Sequence, residues 1–564
     1  MSVPRGTTSA LPNPHRALSC YDILSMIFDH FEREDPWYDH DTSIGDANSW
    51  FARQADALRK STLGRCARVC KAFSHPALAI LWRNIDNLSP FLSVAQSSLR
   101  SIPGSALQVV HLAEAGTRVS HYARHIRAVY GLGTTLQASA QNLSLLQTGT
   151  ASAPLLPQLQ RLRWVQVVPS GDELLQFLSP SVHSLHIIFR KAPTWSECVS
   201  LRGQPSEYEV YVRTLLKEVA SRVPQLRYIR LSTTGDIHES WLEPLCSLRY
   251  LDTADLLERI YCDVTTSPLL RPLGSLQGLR HLKLRLPAGL PQDMEREAFP
   301  ALESLVLDAM FAPLRTVSAF LSGVTSRHLS SLLIHGCECD TTTVSSTLYE
   351  VCDVVRARFA PSLRTLELAF RGVGPVVTHN QPLIQTIEPL LDLHDLNDVS
   401  ISIAPEIAIV PATEHDLGRM AEAWPKATRL HLSYLPSAAS PSLKDIAGFA
   451  QRCVGLTDLV LPGIDASASA CDVKSETELS SLAAEYQQGK AAPHKLRSLC
   501  LSDSGWNSQI PDPMLLAKFL DALFPEVEWK CPPLASDHWR ETIQEVLNLR
   551  IMRMVRERGS FIRA

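Results

Sequence analysis

Leu279-Arg-His-Leu282-Lys-Leu284, and then Leu302-Glu-Ser-Leu305-Val-Leu307, set apolar side chains at positions i, i+3 and i+5 of two successive segments. The last two positions are two residues apart and share one face of a short strand, while the first enters from the preceding turn. The same spacing recurs at Leu159-Leu162-Trp164, Val182-Leu185-Ile187, Leu226-Ile229-Leu231, Leu329-Leu332-Ile334, Leu363-Leu366-Leu368, Leu396-Val399-Ile401, Ala427-Leu430-Leu432, Leu456-Leu459-Leu461 and Leu496-Leu499-Leu501, with weaker copies at Ile126 and Leu248. Successive units begin between 22 and 44 residues apart. Stretches of helical spacing lie between them, such as Tyr211–Val223, which stops at Pro224. Each unit is thus expected to be a strand plus a helix with one apolar edge that it cannot bury alone. Stacking the units seals the leucines at about 1.5–3 kcal/mol each. The expected fold class is an α/β repeat, a curved solenoid over residues 126–535. A capping helix over 536–564 carries Trp539, Ile543, Val546, Leu547 and Leu549 near helical spacing.

At 564 residues the chain exceeds what one hydrophobic core serves, which a repeat array accommodates. Apolar residues make up 45% and charged residues 20%, and the net charge of −4 gives no bulk attraction to nucleic acid or anionic membrane. Neither is expected as a partner. The first residues carry no apolar run, and no stretch approaches membrane-spanning length, so neither secretion nor insertion is expected. The thirteen cysteines are odd in number and scattered, and Cys66, Cys70 and Cys500 sit inside apolar patterns. This fits reduced thiols in cytoplasm or nucleus, and makes the sequons at Asn87 and Asn142 chance matches.

Residues 1–15 are expected to be disordered, 16–90 to form a helical module, and 91–125 to supply linker and capping helices. The segment from Leu18 to Phe31 places Ile23, Leu24, Ile27, Phe28 and Phe31 on one helical face, with Ser19 and Asp22 as a capping box. A second amphipathic segment runs from Leu63 to Phe73, and a third from Ala77 to Trp82. An insertion at 32–60 separates the first two. Its first half, Glu32 to Asp41, is acidic and aromatic and is expected to loop into solvent. From Ser49 it turns helical, with Trp50, Phe51, Ala57 and Leu58 placed to pack on the module.

The pairing of Asp22-Ile-Leu-Ser-Met-Ile-Phe28 with Ala67-Arg-Val-Cys-Lys-Ala-Phe73 resembles the F-box, and the repeated L-x-x-L-x-L resembles leucine-rich repeats. Together with the continuation Pro76 to Pro90, the combination is similar to F-box proteins of mushroom-type fungi that carry irregular leucine-rich repeats. Ser19 replaces the usual proline after the opening leucine. The asparagine or cysteine eight residues after the first leucine appears only as Cys337, so irregular turns are expected. The resemblance implies a substrate-recognition subunit of a cullin-type ubiquitin ligase. In that role Leu18, Ile23, Leu24, Ile27, Phe28, Val69, Cys70 and Phe73 dock on a Skp-type adaptor while the repeats hold a substrate protein. The alternative is a leucine-rich-repeat protein-binding scaffold with no ligase role, whose N-terminal helices only cap the array or dimerise.

Fragments that imitate active sites have plainer readings. Ser502-Asp-Ser-Gly505 follows a repeat strand where a turn is needed, and no histidine motif accompanies it. His121 and His125 are four apart but lack the glutamate of a metalloprotease helix. His335, Cys337 and Cys339 could ligate zinc, yet Cys337 occupies a repeat position. Gly131-Leu-Gly133 lacks the third glycine of a dinucleotide loop. No enzyme, metal or cofactor is expected. Positions i+2, i+4 and i+6 of each strand point away from the leucines, toward the concave face. Early units place Arg161, Arg163, Tyr228, Arg230, Tyr250, His281, Lys283 and Arg285 there against one acid, Asp252. Later units bring Asp308, Glu367, Asp398 and Asp458 with Arg429 and His431. The early stretch is expected to recognise an acidic or phosphorylated segment, because arginine forks pair carboxylates and phosphates bidentately.

Overall fold

A computed structural model describes residues 20–32, 47–91, 93–94, 119–132, 154–166, 173–190, 207–233, 237–238, 241–257, 260–261, 271–286, 298–310, 312–340, 344–373, 377–378, 382–404, 408–410, 416–436, 443–462, 495–501, 513–524, 527–529 and 537–561. The chain divides into two compact units, Met1–Asp236 with Ser247–Leu251, and Ile237–Cys246 with Asp252–Ala564.

In the first unit, α1 (Tyr21–Asp29), α2 (Ala47–Cys66) and α3 (Lys71–Arg83) close around Leu24, Phe28, Leu63, Ala77 and Ile80. The motif Ala67 to Phe73 is not one helix. Cys70 is the N-cap of α3, so the motif straddles the turn between α2 and α3. Pro76 and the segment Ala77 to Trp82 are absorbed into α3. The N-cap of α1 is Cys20, without a side-chain cap, and Ser19 lies outside the described residues. Leu58, expected to pack inward, is exposed.

The last turn of α3 leads straight into β1 (Asn84–Ile85), the first strand of a parallel ladder continued by β2 (Ala128–Leu132), β3 (Arg161–Gln166), β4 (Ser184–Phe189) and β5 (Tyr228–Thr233). Leu162, Leu185 and Ile229 are in register, as are Trp164, Ile187 and Leu231, and all six are buried. The helix α4 (Glu207–Arg222) buries Val212, Leu215, Leu216 and Val219 at the i, i+3, i+4, i+7 spacing of one helical face.

The second unit repeats the construction. Its ladder runs through β6 (Thr253–Leu256), β7 (His281–Arg285), β8 (Ser304–Asp308), β9 (Ser331–Asp340), β10 (Thr365–Val373), β11 (Asp398–Ile403), β12 (Arg429–Ser433), β13 (Asp458–Leu461), β14 (Ser498–Leu501) and β15 (Glu528–Trp529), each parallel to the next. Leu282, Leu305, Leu332, Leu366, Val399, Leu430, Leu459 and Leu499 form one continuous row. Helices return the chain between strands, among them α5 (Leu314–Gly323), α6 (Val344–Phe359), α7 (Asp416–Ala423) and α8 (Leu443–Arg452). The helices α9 (Pro513–Leu523) and α10 (Asp537–Phe561) pack on each other beyond β14. This is an α/β repeat fold in both units, one strand per leucine-bearing segment.

Unequal segments stay in register through a backbone device. The carbonyl of the residue just before a strand accepts two successive N–H groups from the start of the next strand. Arg127 O takes Gln160 and Arg161; Gln160 O takes His183 and Ser184; Glu303 O takes Ser330 and Ser331; Arg364 O takes Asn397 and Asp398; Thr457 O takes Arg497 and Ser498, all at 2.7–3.1 Å. Hydroxyls supplement it: Ser181 Oγ donates to Leu159 O at 2.9 Å, and Ser362 Oγ to Leu329 O at 2.8 Å. These bonds satisfy carbonyls that turn side chains would otherwise cap.

Two weak units depart from the expected phase. The copy at Leu248 starts instead at Leu251, because Ala254 and Leu256 align with Leu282 and Leu284 and face the core. Tyr250 and Asp252 therefore precede the strand, and Asp255 occupies the alternate face. In the copy at Ile126 the register shifts between Val129 and Leu132, which brings Leu132 rather than Gly131 opposite Trp164.

Candidate functional site

Two surfaces collect the residues singled out in the sequence. On the helical module, Leu24 and Phe28 are sealed in its own core, and Ile23 and Phe73 are half-buried. Leu18 lies outside the described residues. Ile27 is 46% exposed and Val69 67%, with Cys70 exposed beside it. Sequence reasoning missed Tyr21 and Met26, which are 51% and 62% exposed on the same helix as Ile27. Burial divides the helix cleanly: residues that hold the module face in, and a second apolar set faces out. Arg83 ties α3 to α1 through Asp29 and Glu32, at 3.1 and 2.5 Å.

The second surface is the alternate face of the ladders. In the first unit, Arg161, Ser184 and Tyr228 form one row and Arg163, His186 and Arg230 the next. His186, which sequence reasoning passed over at position i+4 of its unit, is buried, and its Nε2 lies 3.1 Å from Ser232 Oγ. Tyr228 packs against Ala128 and Tyr130, two strands beyond its neighbour β4. Burial pulls Arg163 below its ordinary pKa, and the Arg230 charge acts in the same direction. Arg161 is lowered by burial, opposed by the charge of Glu32. The Arg163 and Arg230 guanidinium groups thus share one row of this face and repel each other.

His281, Lys283 and Arg285 belong to the second unit, where carboxylates answer the cations. Arg285 grips Asp308 with Nε at 2.7 Å and Nη2 at 2.6 Å from Oδ2, while Asp308 Oδ1 accepts the Met310 N–H. His335 lies 3.6 Å from Glu367 and Arg429 2.9 Å from Asp398. Lys283 sits in register beside Asp255, a buried acid that the misphased unit concealed. Burial, aided by Arg429 and opposed by Glu367, lowers the pKa of His431. On the alternate face of this unit Arg285 and Arg429 are thus each paired with a carboxylate of the neighbouring strand.

The imitation motifs fall apart in space or lie elsewhere. Cys337 is buried, because the register shifts between Ile334 and Cys337 and turns it into the core, whereas His335 faces Glu367. Ser502 to Gly505 and Gly133 lie outside the described residues. His121 and His125 instead join His75 in a cluster, with ring centroids of His125 5.2 Å from His75 and 5.6 Å from His121. Arg124 Nη2 stands 3.0 Å from His121 Nδ1 and 3.4 Å from His75 Nε2. Cys246 and Cys453 are free thiols whose pKa burial pushes up to about 11, and Cys352 is raised by burial as well. Thiols in that state are poor nucleophiles. No helix among the described residues is long and apolar enough to cross a membrane.

No family model matches the chain, and no curated protein matches it. Among solved structures it is similar to the TLR13–ssRNA13 complex, at 13% identity and a TM-score of 0.36, over 80% of this chain and 54% of that one. It is also similar to a protein from Bacteroides fragilis, at 13% identity and a TM-score of 0.27, over 57% of this chain and 84% of that one. The chain therefore spans about half the length of the first of these.

Proposed function

We propose that the chain is the substrate-recognition subunit of a cullin-type ubiquitin ligase: an F-box that docks on a Skp-type adaptor, followed by leucine-rich repeats that hold a substrate protein. The observation that carries this reading is the outward apolar set of the helical module. Ile27, Met26 and Val69 stay exposed although Leu24, Phe28, Leu63 and Ile80 already complete a core. A three-helix module that only sealed the end of the array would turn such residues inward.

The join between α3 and β1 supports the same reading. Arg127 N–H donates to Arg83 O at 2.9 Å, and Trp82 stacks on Tyr122 with centroids 4.8 Å apart, so the module is fixed to the first strands of its unit. A fixed join lets the chain hold a substrate near a charged conjugating enzyme and raise its effective concentration. The chain breaks no bond itself. The alternate face of the first unit is the substrate surface in this reading, and its arginines suit an acidic or phosphorylated segment.

Pull-down of a Skp-type adaptor by the full chain tests the proposal. Ile27→Asp and Val69→Asp are expected to abolish capture while leaving the circular dichroism spectrum unchanged. Leu24→Asp, by contrast, unfolds the module and serves as the control for misfolding. A folded chain that captures no adaptor would favour the scaffold reading.

A further inference from the structure

The joint between the helical module and the first strands is lined with nitrogen bases. From the module, α3 contributes His75. The helical turn at residues 119–123 and the two residues after it contribute His121, Arg124 and His125, just ahead of β2. The elements packed around these rings add Tyr21 from α1, edge-on to His75 with centroids 5.4 Å apart, and Tyr122, edge-on to His121 at 5.4 Å. No carboxylate acts on His121 or His125: the groups that do are Arg124, Arg127 and the other imidazoles, which carry positive charge or none.

The cluster holds together only while its rings are neutral. A guanidinium can donate but not accept. Arg124 Nη2 donates to His121 Nδ1 at 3.0 Å and faces His75 Nε2 at 3.4 Å, so both ring atoms must present lone pairs. A proton on either one sets donor against donor. His125 Nε2 is buried with no hydrogen-bond partner, so a proton placed there finds no acceptor and adds a charge beside Arg124. Burial, then Arg124 and His75, hold the pKa of His121 below its ordinary value in the same direction.

We propose that the contact between α3 and residues 119–125 is a proton-sensitive latch: neutral imidazoles fasten the module to β2, and protonated ones release it while module and ladder each stay folded. The pivot is the α3–β1 junction at Arg83 and Asn84, where the chain itself is continuous. Release breaks the bond from Arg127 N–H to Arg83 O, the Trp82–Tyr122 stack and the short pairing of β1 with β2. The latched state binds fewer protons than the released one, so acid favours release. For His125 alone, a return from about 4 to the ordinary 6.5 makes opening about thirtyfold more favourable at about pH 5 than at about pH 7.5.

Hydrogen exchange of the full chain, corrected for the intrinsic effect of pH on exchange, tests this. Amides of residues 120–129 are expected to lose about thirtyfold in protection between about pH 7.5 and about pH 5, while those of α3, β4 and β5 keep theirs. Arg124→Glu, at an exposed position, is expected to remove most of that loss, because a carboxylate holds protonated rings in place. His125→Gln, which takes up no proton, is expected to remove most of it as well. No selective loss at residues 120–129, an equal loss in α3, β4 and β5, or a loss of undiminished size in either variant overturns the proposal.

Discussion

His125 sits where burial and charge act in the same direction. Its Nε2 is buried without a hydrogen-bond partner, and burial, helped by Arg124, His75, His121 and Arg127, holds its pKa down at about 4. The unfolded chain binds that proton near the ordinary value of about 6.5. Protonation therefore favours unfolding: the contribution of neutral His125 is complete above about 6.5 and is lost as pH falls toward 4. The urea midpoint is expected to drop across that window, and to drop less steeply in His125→Gln. An equal slope in both proteins would show that the proton is taken up elsewhere. The same cluster was visible in sequence only as two histidines four apart. Its third member, His75, comes from another helix, and single-chain spacing carries no trace of that.

Gly336 shows what an irregular strand requires. It adopts φ +71 at the register shift of β9, and a Cβ there would stand 3.3 Å from Met310 Cα. Gly336→Ala is expected to cost about 1–2 kcal/mol, the left-handed penalty of an L-residue, read as a lowered urea midpoint with unchanged slope. The repeat leucines were legible because each is large, apolar and fixed in phase by its neighbours two and three residues away. The unit near Leu248 was not, because Leu248 and Leu251 offer two competing phases and the small Ala254 decides between them only once it aligns with Leu282. Likewise, the break at Cys70 is invisible to a helical wheel, since Ala67 to Phe73 is amphipathic whether or not a turn interrupts it. Arg285 and Asp308 both fall on inner-face positions of the repeat, but their ion pair follows only from the alignment of β7 and β8 without offset.

Across the molecule, each strand draws its protection from the strands on either side. Repeat arrays have stabilities close to a sum of such neighbour terms, so interior strands open least. Hydrogen exchange is expected to be slowest for amides of β9, β10 and β11, whose leucine rows are buried on both sides, and fastest at β1 and β15. Uniform exchange along the ladders would mean that each unit opens as a whole. The strand-plus-helix repeat was readable from the spacing alone; what joins one repeat to the next was not, because the joint is made of main-chain atoms. One carbonyl and two N–H groups meet at the start of β3, β4 and β5 and of each strand from β7 to β14, whatever residues supply them. A segment gained by duplication, lost, or stretched from 22 residues to 44 leaves the joints on either side chemically identical. Such an array accepts insertion and exchange of whole units by recombination, where one locked by a particular side chain at every turn would have to recover that residue each time.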